Sequence, residues 1–430
     1  MAPNPNHFRP GAPPFSPPGS LPDGADSSRR PPPSLTWVGT ARPVGGRGFA
    51  GRDLSDTINV TRPFLPPLEE MLPLLREMWS SRMLTNNGPF HERLEARLSG
   101  LFGGKAVSLV ANGTLALSIA LDAAGAEGEV ITTPYSFVAT AHAVKMGRLT
   151  PVFADVDSVT LNIDPAAVEA AITPRTSAIL AVHVYGTPCD VDALQAIADR
   201  HGLTLLYDSA HAFGVRRGGR SLVEHGDFST LSFHATKALN TFEGGAIVSG
   251  AEAKAAVDRL RNFGIADEVT VEAVGGNAKM NEFAAALGLL QLDHFESVRA
   301  ELGQIDRLYR ELLAGIEGLD PLPAQADVEP NFSYFPMLVR PSFRTDRDGL
   351  YEELKAQGIH ARRYFYPLLS NLPMYRSLAS AAPERLPVAN RAADQILCLP
   401  IYAGLDEATQ RRIVDVVRGS GAGVRLRGIA

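Results

Sequence analysis

From Leu68 onward the apolar positions recur at helical spacing, with Leu68, Met71, Leu72, Leu75 and Met78 on one face until Gly88 and Pro89 interrupt it. "FHERLEARLSGLFG" keeps the same period and predicts a second helix. At Ala106 the pattern changes to short apolar runs alternating with helical stretches. "AVSLV" precedes "TLALSIALDAAG", "EVITT" precedes "SFVATAHAVKMG", "TPVFADV" precedes "DPAAVEAAI", "SAILAVHVYG" precedes "VDALQAIADRHG", and "LTLLYDSA" follows. This alternation predicts an α/β fold with a mostly parallel central sheet and crossover helices. In open sheets of this kind ligands sit beyond the carboxyl ends of the strands, so those ends are where chemistry is expected.

Long helices are predicted over "MNEFAAALGLLQLDHFESVRAELGQIDRLYRELLAGI". After them "PNFSYFPMLV", "DGLYEELKAQG", "LPVANRAADQILCLP" and "DEATQRRIVDVV" mix strands and helices into a second, smaller α+β domain. The helix near residue 70 is expected to be able to pack against that domain too. At the other end, residues 1–55 are dense in Pro, Gly and Ser and show little periodicity. They are expected to form a disordered or loosely attached arm. The reading therefore divides the chain into that arm, a large domain over 56–295 and a small C-terminal domain over 296–430. "GRGFAG", Gly46–Gly51, matches the dinucleotide fingerprint GxGxxG. No strand precedes it and no helical pattern follows, so the match is read as chance.

Composition narrows the function classes. Of 430 residues, 45% are hydrophobic and 20% charged, which fits a soluble globular protein with one proline-heavy region. A net charge of −6 leaves no basic footprint for nucleic acid. The two cysteines, Cys189 and Cys398, stand far apart in the sequence and suggest neither a disulfide framework nor a thiolate metal cluster; no metal site is predicted. No apolar run has membrane-spanning length. Arg29 and Arg30 are followed by "PPPSLTWVG", too short and proline-rich for an export signal. A cytoplasmic location is the expectation.

Several useful groups fall at strand ends. "ANGTLAL" puts Asn112, Gly113 and Thr114 at a helix start, where free N–H groups and the dipole favour an anion. "ITTPYSFVAT" offers Tyr135 and Phe137, "LLYDSAHAFG" offers Asp208 and His211, and "LSFHATKALNTFEGGAIVSG" carries Ser232, His234 and Lys237. Each has an ordinary reading: an N-cap, core aromatics, a helix cap, a solvated lysine. Together they supply what pyridoxal phosphate needs. The lysine forms the Schiff base, the acid holds the pyridinium proton, an aromatic ring stacks, and the helix start binds the phosphate. Gly244 and Gly245 would let the backbone pass close to a neighbour in the turn that follows.

On these blocks the chain resembles the DegT/DnrJ/EryC1/StrS sugar aminotransferases of PLP fold type I. The likeness runs from about Ile58 to about Val417 through "NGTLAL", "YDSAHAFG", "SFHATKALNTFEGGAIV", "RNFGIADEV", "GGNAKMNEFAAALGLLQL" and "LPVANRAADQILCLPIY". The resemblance implies that Lys237 bonds the cofactor and then shuttles a proton, that Asp208 pairs with the pyridine nitrogen and that His211 lies near the phenolic oxygen. It implies that Phe137 stacks on the ring, that Gly113, Thr114 and Ser232 hold the phosphate, and that Asn277 reaches across a homodimer interface into a shared site. Ala235 stands where the family commonly has proline, Lys279 where arginine is usual, and Tyr207 where an acid often precedes the aspartate; no catalytic group is lost.

The implied activity moves an amino group from L-glutamate to a keto nucleotide sugar. "LTNNGP" and "GIHARRYFYPLL", which holds Arg362, Arg363, Tyr364 and Tyr366, resemble the subgroup that aminates carbon 4 of a 4-keto-6-deoxy hexose on dTDP. Arg363 suits the diphosphate and Tyr364 a sugar or base face; a solvated basic loop is the plainer alternative. A cyclitol or other small ketone is the second reading. A non-catalytic PLP-binding regulatory protein is the third, and it has no chemical need to retain Lys237, Asp208 and His211 together.

Overall fold

The apolar runs after Ala106 become the strands of one central sheet in a computed structural model that describes residues 57–419. The Pro-rich arm over 1–55 and the "GRGFAG" segment lie outside the described residues. In chain order the strands are β1 (Ala106–Val110), β2 (Glu129–Thr132), β3 (Thr150–Phe153), β4 (Thr176–Val182), β5 (Thr204–Asp208), β6 (Phe228–Ser232) and β7 (Gly245–Ser249). Their spatial order is β1-β7-β6-β5-β4-β2-β3. Strands β6, β5, β4, β2 and β3 pair in parallel. Strand β7 runs antiparallel to both neighbours, with Gly245 opposite Val110 on one side and Ser232 on the other.

The strands are buried on both faces, as a sheet with crossover helices requires. Val110, Val130, Leu180, Leu206 and Ile247 face helices α3 (Gly113–Ala123), α4 (Val138–Met146) and α7 (Ala251–Leu260). Ile131, Ile179, Ala181, Leu205 and Tyr207 face α5 (Pro165–Ala171) and α6 (Val191–His201). Alternation along each strand thus feeds two separate cores.

The first two predicted helices are α1 (Leu68–Ser81) and α2 (Pro89–Leu101). Pro89 fits the first turn of α2, where its missing N–H costs nothing. The expectation that the helix near residue 70 packs on the C-terminal part needs correction. Met71 and Met78 of α1 are buried with Phe90, Leu94, Leu231, Phe233, Ala285 and Leu289, so α1 belongs to the core shared by α2, the central sheet and the first half of α8 (Glu282–Leu313). Its two methionines, seven residues apart, are buried there, Leu74 and Leu75 pack against that core partly buried, and Leu68 and Leu72 stay exposed.

The second half of α8 contributes Leu302, Ile305, Tyr309 and Leu313 to a different core. That core covers an antiparallel sheet of β8 (Leu319–Pro321), β9 (Phe335–Val339) and β10 (Ile396–Leu399), backed by α9 (Arg347–Ala356) and α10 (Glu407–Arg418). Ile58–Asn59 joins it by pairing in parallel with Ile359–His360. Residues 295 and 296 fall inside α8. Among the described residues, no helix is long and apolar enough to cross a membrane, and no group of His, Cys, Asp and Glu side chains is placed to hold a metal ion.

Candidate active site

At the carboxyl ends of β5 and β6 a cavity of about 730 Å³ opens, and most of the residues singled out in the sequence line it. Gly113 and Thr114 enter from the start of α3, Phe137 from the start of α4, Asp208 and His211 from the end of β5, and Ser232 and Lys237 from the end of β6. Tyr364 closes the wall from the C-terminal part.

The start of α3 is capped and open at once. Asn112 Oδ1 accepts from the Leu115 amide at 2.9 Å, which is the ordinary N-cap. The Gly113 and Thr114 amides have no protein acceptor among the described residues, and both residues line the cavity. A Cβ at Gly113 would stand 2.8 Å from Ser232 Cβ, so only glycine lets the helix end approach β6 this closely. Gly245 acts from the other side: a Cβ there would meet the Asn112 carbonyl carbon and the Leu231 oxygen at 2.8 Å.

Asp208 is buried, and its carboxylate is held by neutral donors. Thr140 Oγ1 donates at 2.8 Å and the Ala210 amide at 3.1 Å; Ser136 Oγ lies 2.8 Å from Thr140 Oγ1 behind it. No Lys or Arg pairs with this carboxylate at ion-pair distance among the described residues. Burial pushes its pKa up, against the hydrogen bonds and the charge of Lys237. The same burial brings Lys237 down to about 8, opposed by Asp208. Its amine therefore exchanges protons within the working range.

His211 is held as a neutral donor. Its Nδ1 accepts from the Tyr185 amide at 3.1 Å, which leaves the proton on Nε2. Burial and nearby Lys237 keep its pKa well below the usual histidine value. The ring lies parallel to Phe365 at 5.8 Å and tilted against Tyr334 at 4.7 Å.

The two aromatic candidates separate. Phe137 remains 58% exposed at the cavity wall. Tyr135 goes to the core: it is fully buried, with its hydroxyl 2.7 Å from that of Tyr185, which donates to the Tyr364 carbonyl. Two other candidates stand outside the cavity. Asn277 is exposed, in a bridge with Asn262. Arg363 donates to Asp348 at 2.7 Å and stacks over Tyr351 and Tyr366 at 4.5 and 5.2 Å.

Sequence reasoning missed Thr140, Tyr334, Phe365 and Glu243, all of which line the cavity or hold a group that does. Thr140 carried a signal, a hydroxyl on the otherwise apolar stripe of Ala141, Ala143 and Val144. Tyr334, Phe365 and Glu243 carried none.

This is the α/β architecture of the fold type I aminotransferases. The chain belongs to the DegT/DnrJ/EryC1/StrS aminotransferase family, whose model matches residues 68–418. A dTDP-4-amino-4,6-dideoxy-D-glucose transaminase of Escherichia coli is 50% identical over 365 residues, which cover 84% of this chain and 98% of that protein. One from Shigella dysenteriae is 47% identical over 362 residues, with the same coverage of 84% and 98%. The crystal structure of DesI in the presence of its TDP-sugar product superposes with a TM-score of 0.81 at 39% identity, covering 86% of this chain and 94% of that one.

Proposed function

We propose that the protein transfers the amino group of L-glutamate to dTDP-4-keto-6-deoxy-D-glucose, using pyridoxal phosphate in a site shared by two copies of the chain. The observation that carries this reading is that Lys237 and Asp208 line one cavity together with the open start of α3. The side chains fit the cofactor. A buried carboxylate without a cationic partner suits a pyridinium, and a glycine-lined helix end with free amides suits a phosphate. Bound there, pyridoxal phosphate supplies an electron sink that lets the donor's α-hydrogen leave as a proton.

The chain's own residues do the rest. Lys237 would hold the cofactor through Nζ, and the same amine would carry the proton that moves in the transfer. Asp208 keeps the ring nitrogen protonated, and Thr140 and the Ala210 amide orient that carboxylate. His211 offers Nε2–H to the phenolic oxygen. Phe137 would stack on the ring, and Gly113, Thr114 and Ser232 would hold the phosphate. Tyr364 meets the sugar, and Asn277 acts in the partner copy's site. For Arg363 to take the diphosphate, its pair with Asp348 must open. Among the described residues, the part that begins at residue 296 acts as a small lobe against the larger part that ends at residue 295.

The 4-keto sugar on dTDP is preferred because the dTDP-amino-sugar relatives match along nearly their whole length. The test is to incubate the purified protein with L-glutamate and a panel of ketones, scoring by mass the replacement of the keto oxygen by an amine. Product from dTDP-4-keto-6-deoxy-D-glucose is expected. Efficient amination of a cyclitol ketone with none of the nucleotide sugars converted would refute the assignment.

A further inference from the structure

Lys237 Nζ has a hydrogen-bond partner that comes from neither β5 nor β6. The amine donates to Tyr334 Oη at 3.3 Å, across 97 residues of sequence, and lies 6.0 Å from the centre of that ring. Tyr334 stands immediately before β9, in a segment fastened to the His211 loop. Buried Asn331 makes the fastening: its Nδ2 donates to the carbonyls of His211 at 2.8 Å and Phe213 at 2.9 Å, while its Oδ1 accepts from the Ser333 amide at 3.1 Å. The Tyr334 ring is then held by His211 at 4.7 Å, Tyr185 at 5.7 Å and Tyr364 at 6.0 Å. Its hydroxyl is left pointing at the lysine.

We propose that Tyr334 is a positioning residue for Lys237, holding the amine over the cavity whenever it is not bonded to the cofactor. The proposal rests on Lys237 being the cofactor lysine. A lysine side chain freed from its bond samples many rotamers. A hydrogen bond to a ring clamped by three neighbours narrows them to those in which Nζ can collect and return the substrate's proton. The other groups lining the cavity around Lys237 are Asp208 and His211 after β5, His234 and Glu243 on its own loop, and Tyr364. Among the described residues, the hydrogen bond at Nζ is with Tyr334 alone. Burial raises the Tyr334 hydroxyl above the usual phenol value, so it stays protonated and can accept from the ammonium or donate to the free amine. The charge-assisted bond is the stronger of the two. Tyr334 therefore favours the ammonium, and its loss lowers the midpoint at which Lys237 titrates.

Tyr334→Phe tests this because it keeps the ring and its packing. In the cofactor-free full-length chain, the pH dependence with which a trace acylating reagent labels Lys237, read by peptide mass, is expected to have its midpoint near 8 in the wild type. In the variant the midpoint is expected to fall by about half to one pH unit. In the loaded enzyme, kcat should fall about tenfold with KM for both substrates nearly unchanged, and the isotope effect of α-deuterated glutamate should grow. A folded variant with an unmoved midpoint overturns the proposal whatever its rate does. A rise in KM with kcat unchanged overturns it too, by moving Tyr334 to substrate binding. Borohydride reduction and peptide mapping of the loaded variant keep the two readings apart. Label on Lys237 beside an unmoved midpoint removes the role of Tyr334 only, whereas label on a different lysine removes the lysine assignment itself.

Discussion

Asp208 carries a tension that its neighbours do not relieve. Burial raises its pKa, and only two neutral donors and the charge of Lys237, beyond ion-pair distance, oppose it; an unpaired carboxylate is disfavoured in such a place. The sign of the linkage follows. With the folded pKa above the unfolded one, the native state binds the extra proton, so stability is full below the unfolded value and is lost as pH rises through the folded one. The contribution of Asp208 to the stability of the cofactor-free protein should therefore fall as pH rises above about 4. Asp208→Asn should remove that contribution, so the difference in melting temperature between the two proteins should move in the variant's favour as pH rises across the acid range. The same substitution removes the ionic partner of the cofactor ring, and turnover should fall by about a hundredfold or more. Near wild-type turnover would remove Asp208 from the proposed mechanism. Thr140→Val, which takes away one hydrogen bond to the carboxylate, should cost about tenfold with the fold intact.

At the scale of elements, the site exists because α3, β6 and β7 approach more closely than side chains allow. A Cβ at Gly245 would strike main-chain atoms of Asn112 and Leu231, which cannot swing away. Gly245→Ala should therefore destabilise the protein by about 1–3 kcal/mol, seen as a lower melting temperature. The clash of a Cβ at Gly113 is with the Ser232 side chain beside the open amides. Gly113→Ala should mainly weaken cofactor affinity, measured by equilibrium titration of the cofactor-free protein. Equal melting shifts with unchanged cofactor affinity would contradict this division.

These elements were legible because strand–helix alternation announces itself over ten-residue windows, and the strand ends bearing Gly113, Asp208 and Lys237 follow from it. What stayed hidden depends on distant pairing. Thr140 reaches Asp208 across 68 residues and Tyr334 reaches Lys237 across 97, separations to which no local period points. The apolar run of β7 predicts a strand but not its direction, because alternation reads the same both ways along the chain. The packing of α1 was open for a related reason. Its stripe of Leu68, Met71, Leu72, Leu75 and Met78 shows an amphipathic helix without saying which core receives it.

For the whole molecule, the exposed apolar side chains are the feature a single copy leaves unexplained. Val269 and Val274 are 89% and 94% exposed on the segment that ends at Asn277, and Phe263 and Val271 are exposed beside them. Phe242, in the loop after Lys237, stacks on Phe283 at 5.8 Å, and both rings also face outward. We propose that these exposed apolar side chains belong to an interaction surface. A second copy of the chain is the partner that the proposed shared site requires, since Asn277 stands outside the cavity of its own chain. Two defective chains should then repair each other. A dimer of Lys237→Ala with Asn277→Ala has one site lacking both groups and one retaining both, if each asparagine serves the other copy. Co-expressed under separate affinity tags and purified through both, the hybrid should recover up to about half the wild-type turnover per dimer, because one of its two sites is whole. The Lys237→Ala parent should have none, and the Asn277→Ala parent should be impaired. Were Asn277 to act within its own chain, the hybrid would hold one site without the lysine and one without the asparagine. Its turnover could then not exceed half that of the Asn277→Ala parent, and that outcome in a verified hybrid would refute the shared site.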